Sequence, residues 1–218
     1  MTPLPEPIAG EDLVQCLTSG QAIVVTRACG EEGIDRHLLS AEDYQRATSF
    51  THEPSLAAFL TGRTLLRTVL SLFVDEVTLP CGPHGKPNCP HPMAPAFNLS
   101  HAGGRVFAVF SPCGPVGIDA ETIDRVPKNL HTLARKVFTP DECAQLNSGA
   151  SDFLRLWTQK EAVLKATGRG FSAGAATLSA QAFATASGWE VRHFHSGDLL
   201  GAVCLPSRVS YLLRGDVV

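Results

Sequence analysis

Arg105-Val-Phe-Ala-Val-Phe-Ser-Pro-Cys-Gly-Pro-Val-Gly-Ile-Asp-Ala-Glu121 divides the chain into two halves. Residues 105–111 are apolar and strand-like, Pro112-Cys-Gly-Pro115 reads as a turn, and residues 116–121 read as a second strand, which predicts a hairpin at mid-chain. Side chains alternate along a strand with period two. Val116, Ile118 and Ala120 therefore point one way, and Gly117, Asp119 and Glu121 the other, so two carboxylates share a face.

Toward the N-terminus, residues 21–27 read as a strand through Ile23, Val24 and Val25, and Ser40 starts a short polar helix running toward Phe50. From Pro54, Leu56, Phe59, Leu60, Leu66, Leu70 and Phe73 recur at spacings of three and four, the mark of a long amphipathic helix. Arg63 and Arg67 lie four apart on it. Asn98-Leu-Ser-His101 is expected just before the strand at 105.

Toward the C-terminus, an apolar stripe of Leu130, Leu133, Val137 and Phe138 marks a helix over residues 129–138. Thr139-Pro-Asp-Glu142 opens the next helix, with a hydroxyl at the cap, proline in the first turn and glutamate three residues on. Ser151 is expected to cap a longer helix carrying Phe153, Leu156, Trp157 and Leu164, which stops at Gly168 and Gly170. Alternating segments at 189–195, 199–205 and 209–213 predict an antiparallel sheet. Each half thus offers strands plus one long helix, an α+β architecture of two lobes, residues 1–112 and 113–218.

Composition narrows the classes of function. With 218 residues and 44% hydrophobic content the chain buries a sizeable core, and a net charge of −3 supplies no global basic field for nucleic acid or an anionic membrane. No apolar run approaches the ~20 residues that cross a bilayer. Met1-Thr-Pro-Leu-Pro-Glu-Pro has neither a basic nor an apolar leader, and the 7 cysteines are scattered without a CxxC pair, so reduced thiols and a cytoplasmic location are expected. Cys81, His84, Cys89 and His91 fall close together, but among Pro83, Pro87, Pro90 and Pro92 they match no zinc-finger spacing and read as a stiffened loop.

Three sets of residues could carry chemistry. Asp119 and Glu121 suit a hard cation such as magnesium, with a solvated acidic face as the competing reading. Glu161 and Lys165 share a helix face, as an ordinary exposed ion pair also would. Lys86, Ser100 and His101 offer an ammonium, a hydroxyl and an imidazole to phosphate.

Taken in order, Gly85-Lys-Pro87, Phe97-Asn-Leu-Ser-His101, Gly117-Ile-Asp-Ala-Glu121 and Trp157-Thr-Gln-Lys-Glu-Ala-Val-Leu-Lys165 followed by Gly168-Arg-Gly170 resemble the 4'-phosphopantetheinyl transferases of the surfactin-synthetase-activating type. The resemblance runs over residues 62–171 and takes in Phe138-Thr-Pro-Asp-Glu142. It implies a pseudo-dimer of two similar α+β lobes with the active site in the cleft between them, coenzyme A in that cleft and magnesium near its pyrophosphate. Asp119, Glu121 and Glu161 would be the metal carboxylates. Ala120 cannot ligate, so water or phosphate oxygen would complete the shell.

The same resemblance makes Glu161 the candidate base and Lys165 a catalytic contact to the pyrophosphate. Lys86, Ser100 and His101 would hold the other phosphates, and Arg46 the 3'-phosphate. Asp43 and Leu56-Ala-Ala58 stand where the family usually carries basic residues. The implied reaction moves phosphopantetheine from coenzyme A to a serine of an acyl, peptidyl or aryl carrier protein, as in fatty-acid, polyketide or non-ribosomal peptide synthesis. The carrier would dock around Leu130, Val137 and Phe138, unless those residues face the core. A monomer is expected, since one chain holds both halves of the cleft. The alternatives are a non-catalytic protein binding coenzyme A or a carrier, and a metal-dependent phosphohydrolase.

Overall fold

Two of the apolar runs that flank the mid-chain turn end up in different sheets. The computed structural model of the chain describes residues 5–82, 85–124, 129–146, 150–168 and 175–218. The architecture is mixed α+β. In chain order the helices and strands are α1 (Gly10–Thr18), β1 (Ala22–Ala28), α2 (Ala41–Ala47), α3 (Glu53–Leu70), β2 (Ala96–Ala102), β3 (Arg105–Ser111) and β4 (Gly117–Thr122). There follow α4 (Leu130–Val137), α5 (Pro140–Cys143), α6 (Ala150–Thr167), α7 (Ala180–Ala186), β5 (Trp189–Ser196), β6 (Leu199–Pro206) and β7 (Tyr211–Arg214).

One sheet has the order β2-β3-β1-β7 and the other β4-β6-β5. The hairpin expected from β3 to β4 does not form. Instead β2 and β3 pair antiparallel with Ala102 opposite Arg105, so Gly103 and Gly104 make the two-residue turn, at φ 55° and 68°. Such tight hairpin turns need positive φ at both central positions, which glycine supplies without a steric penalty. Asn98 to His101 precedes the strand at 105 and is itself part of a strand, β2. The two prolines at 112 and 115 cannot donate to a ladder, and past them the chain leaves for the second sheet.

The segment at 209–213 also departs from expectation. β7 does not extend the antiparallel β4-β6-β5 sheet but runs parallel to β1, pairing Ala22 with Tyr211 and Val25 with Arg214. Ser40 caps α2 in a reciprocal box with Asp43, and Thr139 does the same with Glu142 for α5. Helix α6 begins at Ala150, so Ser151 sits within its first turn and is not its cap. Gly168 ends α6 at φ 70°, while Gly170 lies outside the described residues.

Strand alternation sorts the core into layers. Ile23, Val25, Val106, Ala108 and Phe110 face α1 and α3, while Val24, Phe107 and Val109 meet Ile118, Ala120, Val203 and Leu205 of the second sheet. Ala202 and Cys204 turn to the far side, against Ala162, Val163 and Ala166 of α6. Helices therefore cover the outer face of each sheet, and the sheets pack on one another.

Candidate active site

The edges of the two sheets are joined by side chains. Asn98 Oδ1 on β2 accepts from Ile118 N–H on β4 at 3.0 Å, and Ser100 Oγ accepts from Ala120 N–H at 3.3 Å. Residues two apart on one strand thereby satisfy amides two apart on the next. Ser100 then donates its one proton to Asp119 Oδ1, at 3.0 Å.

Lys165, on α6, completes this junction. Its ammonium donates to Asp119 Oδ1 at 2.7 Å, to the Ile118 carbonyl at 3.1 Å and to Ser100 Oγ at 3.2 Å. The exposed Glu161–Lys165 ion pair is thus not formed: among the described residues the ion pair of Lys165 is with Asp119. Lys86 Nζ donates to the Lys165 carbonyl at 2.7 Å, and burial, then the charge of Lys165, holds its ammonium below the usual lysine range. Lys86, Ser100, Asp119 and Lys165 are therefore brought together, although they come from a loop, two strands and a helix.

The carboxylates fit a hard cation in their chemistry. Asp119 is 5% exposed, and its Oδ2 is buried without a hydrogen-bond partner. An unpaired buried acceptor of this kind costs ~1–3 kcal/mol, more for a charged group, which a cation at that atom would offset. Burial first, and then the charges of Asp119 and Glu121, push the Glu161 carboxyl up to about 7, against a lowering by Lys165. Glu121 and Glu161 are half-buried. The described residues contain no group of three potential ligands already arranged around a point. The donor set is the all-oxygen kind that suits a hard dication.

A cleft of about 1010 Å³ is lined by Arg46, Phe59, Arg63, Arg67 and residues 76–82, and reaches Gly85, the chain neighbour of Lys86. Arg46 is exposed on α2. Asp43, only 3% exposed, receives Arg63 Nε at 3.2 Å and Arg67 Nε at 2.8 Å, so two guanidiniums share one carboxylate and one positive charge is left over. The fork of Arg63 goes on to the Leu79 carbonyl and to Cys81 Sγ, each at 3.2 Å. Arg63 also lines a second pocket, of about 320 Å³, with Ser100 and His101. His101 itself is exposed at the end of β2.

Arg63 and Arg67 are thus cleft residues that sequence reasoning passed over. The signal was available: two arginines on the apolar face of an amphipathic helix are buried only if paired, and Asp43 on the neighbouring helix is an acid within reach. Conversely, Val137 and Phe138, each 2% exposed, pack into the core with Phe153, Leu154 and Leu164. They cannot form a docking surface, and Leu130 and Leu133 are themselves partly buried against the same core. In the cysteine–histidine loop, His91 Nδ1 accepts from Met93 N–H at 3.2 Å, while His84 falls outside the described residues, as do Arg169, Gly170 and Phe171.

Residues 115–204 match the 4'-phosphopantetheinyl transferase superfamily model. The Synechocystis sp. protein slr0495 is 35% identical over 148 residues, 63% of this chain and 60% of that protein. A phosphopantetheinyl transferase of Thraustochytrium sp. is 34% identical over 171 residues, 68% of this chain and 57% of that protein. The chain thus spans less than two thirds of the length of both. 4'-Phosphopantetheinyl transferase AcpT of Escherichia coli (strain K12) is 34% identical over 171 residues, covering 76% of this chain and 82% of that protein.

Proposed function

The chain belongs to the 4'-phosphopantetheinyl transferase superfamily, and from that membership we propose that it transfers the 4'-phosphopantetheine arm of coenzyme A to a serine of an acyl, peptidyl or aryl carrier protein. The observation that carries the reading is the junction of Lys165, Ser100 and Asp119, where a buried carboxylate oxygen without a partner lies beside the lysine, and where Ser100 lines a pocket together with Arg63. Within the superfamily we assign the chain to the surfactin-synthetase-activating type. Its pseudo-dimeric organisation would place residues 1–112 and 113–218 in two lobes, with β7 returning to the first.

In this reading the serine hydroxyl attacks the β-phosphorus, a new P–O bond forms, and the bond from that phosphorus to the bridging oxygen breaks. Adenosine 3',5'-bisphosphate leaves with the bridging oxygen. Glu161 takes the serine proton: burial and its acidic neighbours raise its carboxyl to about 7 in the absence of a cation, whereas as a magnesium ligand it would be less basic, so its two roles compete. Lys165 and Lys86 face the pyrophosphate as preorganised cations whose attraction grows as charge develops on the leaving group. His101 holds the other phosphate oxygens, with Ser100 joining it only by exchanging its bond to Asp119 for one to phosphate, and Arg46 meets the 3'-phosphate. Magnesium, held by Asp119, Glu121 and Glu161, would neutralise the pyrophosphate charge. We further assign the protein to the cytoplasm, acting as a monomer.

The test incubates the protein with apo-carrier protein, coenzyme A and magnesium, and reads the intact mass of the carrier. A gain of one phosphopantetheine is expected. An unmodified carrier with intact coenzyme A would reduce the protein to a binder, and breakdown of coenzyme A alone would make it a phosphohydrolase.

A further inference from the structure

Gly117 opens β4 two residues before Asp119. A β-carbon built on it would sit within the van der Waals shell of the Ala162 carbonyl oxygen and 2.5 Å from Ala166 N, both in the C-terminal third of α6. These are main-chain atoms of an 18-residue helix, so they cannot swing aside as a side chain would. The helix must lift as a body or the strand must sink. Ala162 and Ala166, buried together with Ala202 and Cys204 of β6, keep the rest of that interface equally thin.

The groups of the site divide between these same two elements. Asp119 and Glu121 ride on β4, whereas Glu161 and Lys165 ride on α6, each one residue before an alanine of the thin interface. The Lys165–Asp119 contact of 2.7 Å exists only at the present helix–strand separation. We infer that Gly117 is a positioning residue: its missing side chain sets the distance between the half of the site on β4 and the half on α6. It touches no substrate and acts through the placement of α6. The inference rests on the transfer reading of that site.

Gly117→Ala is compared with the parent and with Gly215→Ala. Gly215 is another glycine hemmed in by main chain, though less tightly than Gly117: its added β-carbon would meet Pro5 O at 2.5 Å and Glu6 C at 2.9 Å, and it lines none of the pockets described. Gly117→Ala is expected to turn over about a hundredfold more slowly, the scale of an ångström of misplacement. In calorimetric titration with magnesium, without carrier protein, it should bind about 10- to 100-fold more weakly, as when groups that orient metal ligands are lost. Gly215→Ala should lose thermal stability and keep the parent's magnesium affinity.

Should Gly117→Ala fail to fold, Ala166→Val thickens the same interface from the helix side and should show both effects in smaller degree. Parent-like turnover and magnesium affinity in the folded variant would overturn the inference, as would an equal loss in Gly215→Ala or a parent that binds no magnesium. A parent that binds magnesium but modifies no carrier sinks the transfer reading alone, and the titration still decides the role of Gly117.

Discussion

Lys165 Nζ stands 2.7 Å from Asp119 Oδ1, and with Ser100 and the Ile118 carbonyl as its other acceptors the ammonium has no proton uncommitted. The lysine is therefore oriented before any ligand arrives, unlike a flexible surface lysine. Lys165→Ala should lower turnover at saturating coenzyme A by roughly a hundredfold or more, the scale for one preorganised electrostatic donor. Lys165→Arg keeps the charge but replaces a compact ammonium with a planar fork, and should rescue only in part. An unchanged rate in Lys165→Ala would return the residue to a structural role.

Asp43 holds two guanidiniums, and its removal should act on stability and on the cleft together. Asp43→Ala leaves Arg63 and Arg67 buried without their shared counter-charge, a loss of ~3–5 kcal/mol when one partner of a buried pair goes. Chemical denaturation measures that loss. Titration with coenzyme A should show weaker binding where the variant remains folded, because Arg63 lines both pockets and loses its anchor. Parent-like stability would show that the pair contributes nothing net.

How much of this was legible in the sequence follows the range of the interactions. Both capping boxes, at Ser40 and Thr139, were readable because each is closed within four residues. The two long helices were readable from their apolar period. The pairing of β4 was not, since Val116 to Glu121 has the same alternation whether its partner is β3 or β6, and the partner is chosen by packing some eighty residues away along the chain. Lys165 shows the same limit. Its i, i+4 neighbour Glu161 was visible as a possible partner, while Asp119, 46 positions away, was brought in by the crossing of α6 over β4 at a glycine. The parallel pairing of β7 with β1 joins chain ends and leaves no local trace.

Burial and the charge of Lys165 hold the Lys86 ammonium below the ordinary lysine range, and a bound pyrophosphate would favour its charged form. The sign follows: on the alkaline side, where free Lys86 is partly neutral, binding coenzyme A should take up a proton. Below that range Lys86 is charged in both states and contributes no uptake. Calorimetry in buffers of different ionisation enthalpy reads the proton count, and Lys86→Met should abolish the alkaline uptake. Uptake that survives in Lys86→Met would assign it to another group.

The cysteines should separate by exposure when a thiol reagent is added to the native protein. Cys81 and Cys113 are exposed, whereas burial pushes Cys204 up to about 12, so almost no reactive thiolate is present at neutral pH. Cys204 should react only as fast as the chain opens, and peptide mapping after a short pulse would find it unlabelled. Prompt labelling of Cys204 would contradict its place between β6 and α6.

Lys160 offers the sharpest separation of stability from chemistry, because it is the chain neighbour of Glu161 and yet points away from the cleft. It is 1% exposed, donates to Glu142 Oε2 at 2.6 Å and to the Val137 carbonyl at 2.8 Å, and lies 5.4 Å from the centre of the Phe138 ring. Glu142 also accepts from Thr139 N–H at 2.9 Å and from Ala180 N–H at 3.0 Å, so the pair ties α6 to the α4–α5 corner and to α7. Lys160→Ala removes the cation and leaves a buried carboxylate with neutral donors only, which should cost ~3–5 kcal/mol. The double change Lys160→Met with Glu142→Gln deletes both charges and keeps the volume, and should cost clearly less, since a well-packed neutral replacement avoids the desolvation of two ions. At a temperature where each variant is folded, turnover should stay within a few-fold of the parent. Paired denaturation curves and rates decide the matter: a double variant as unstable as Lys160→Ala would mean that the charges themselves hold the corner, and a hundredfold fall in rate without loss of stability would place Lys160 in the chemistry.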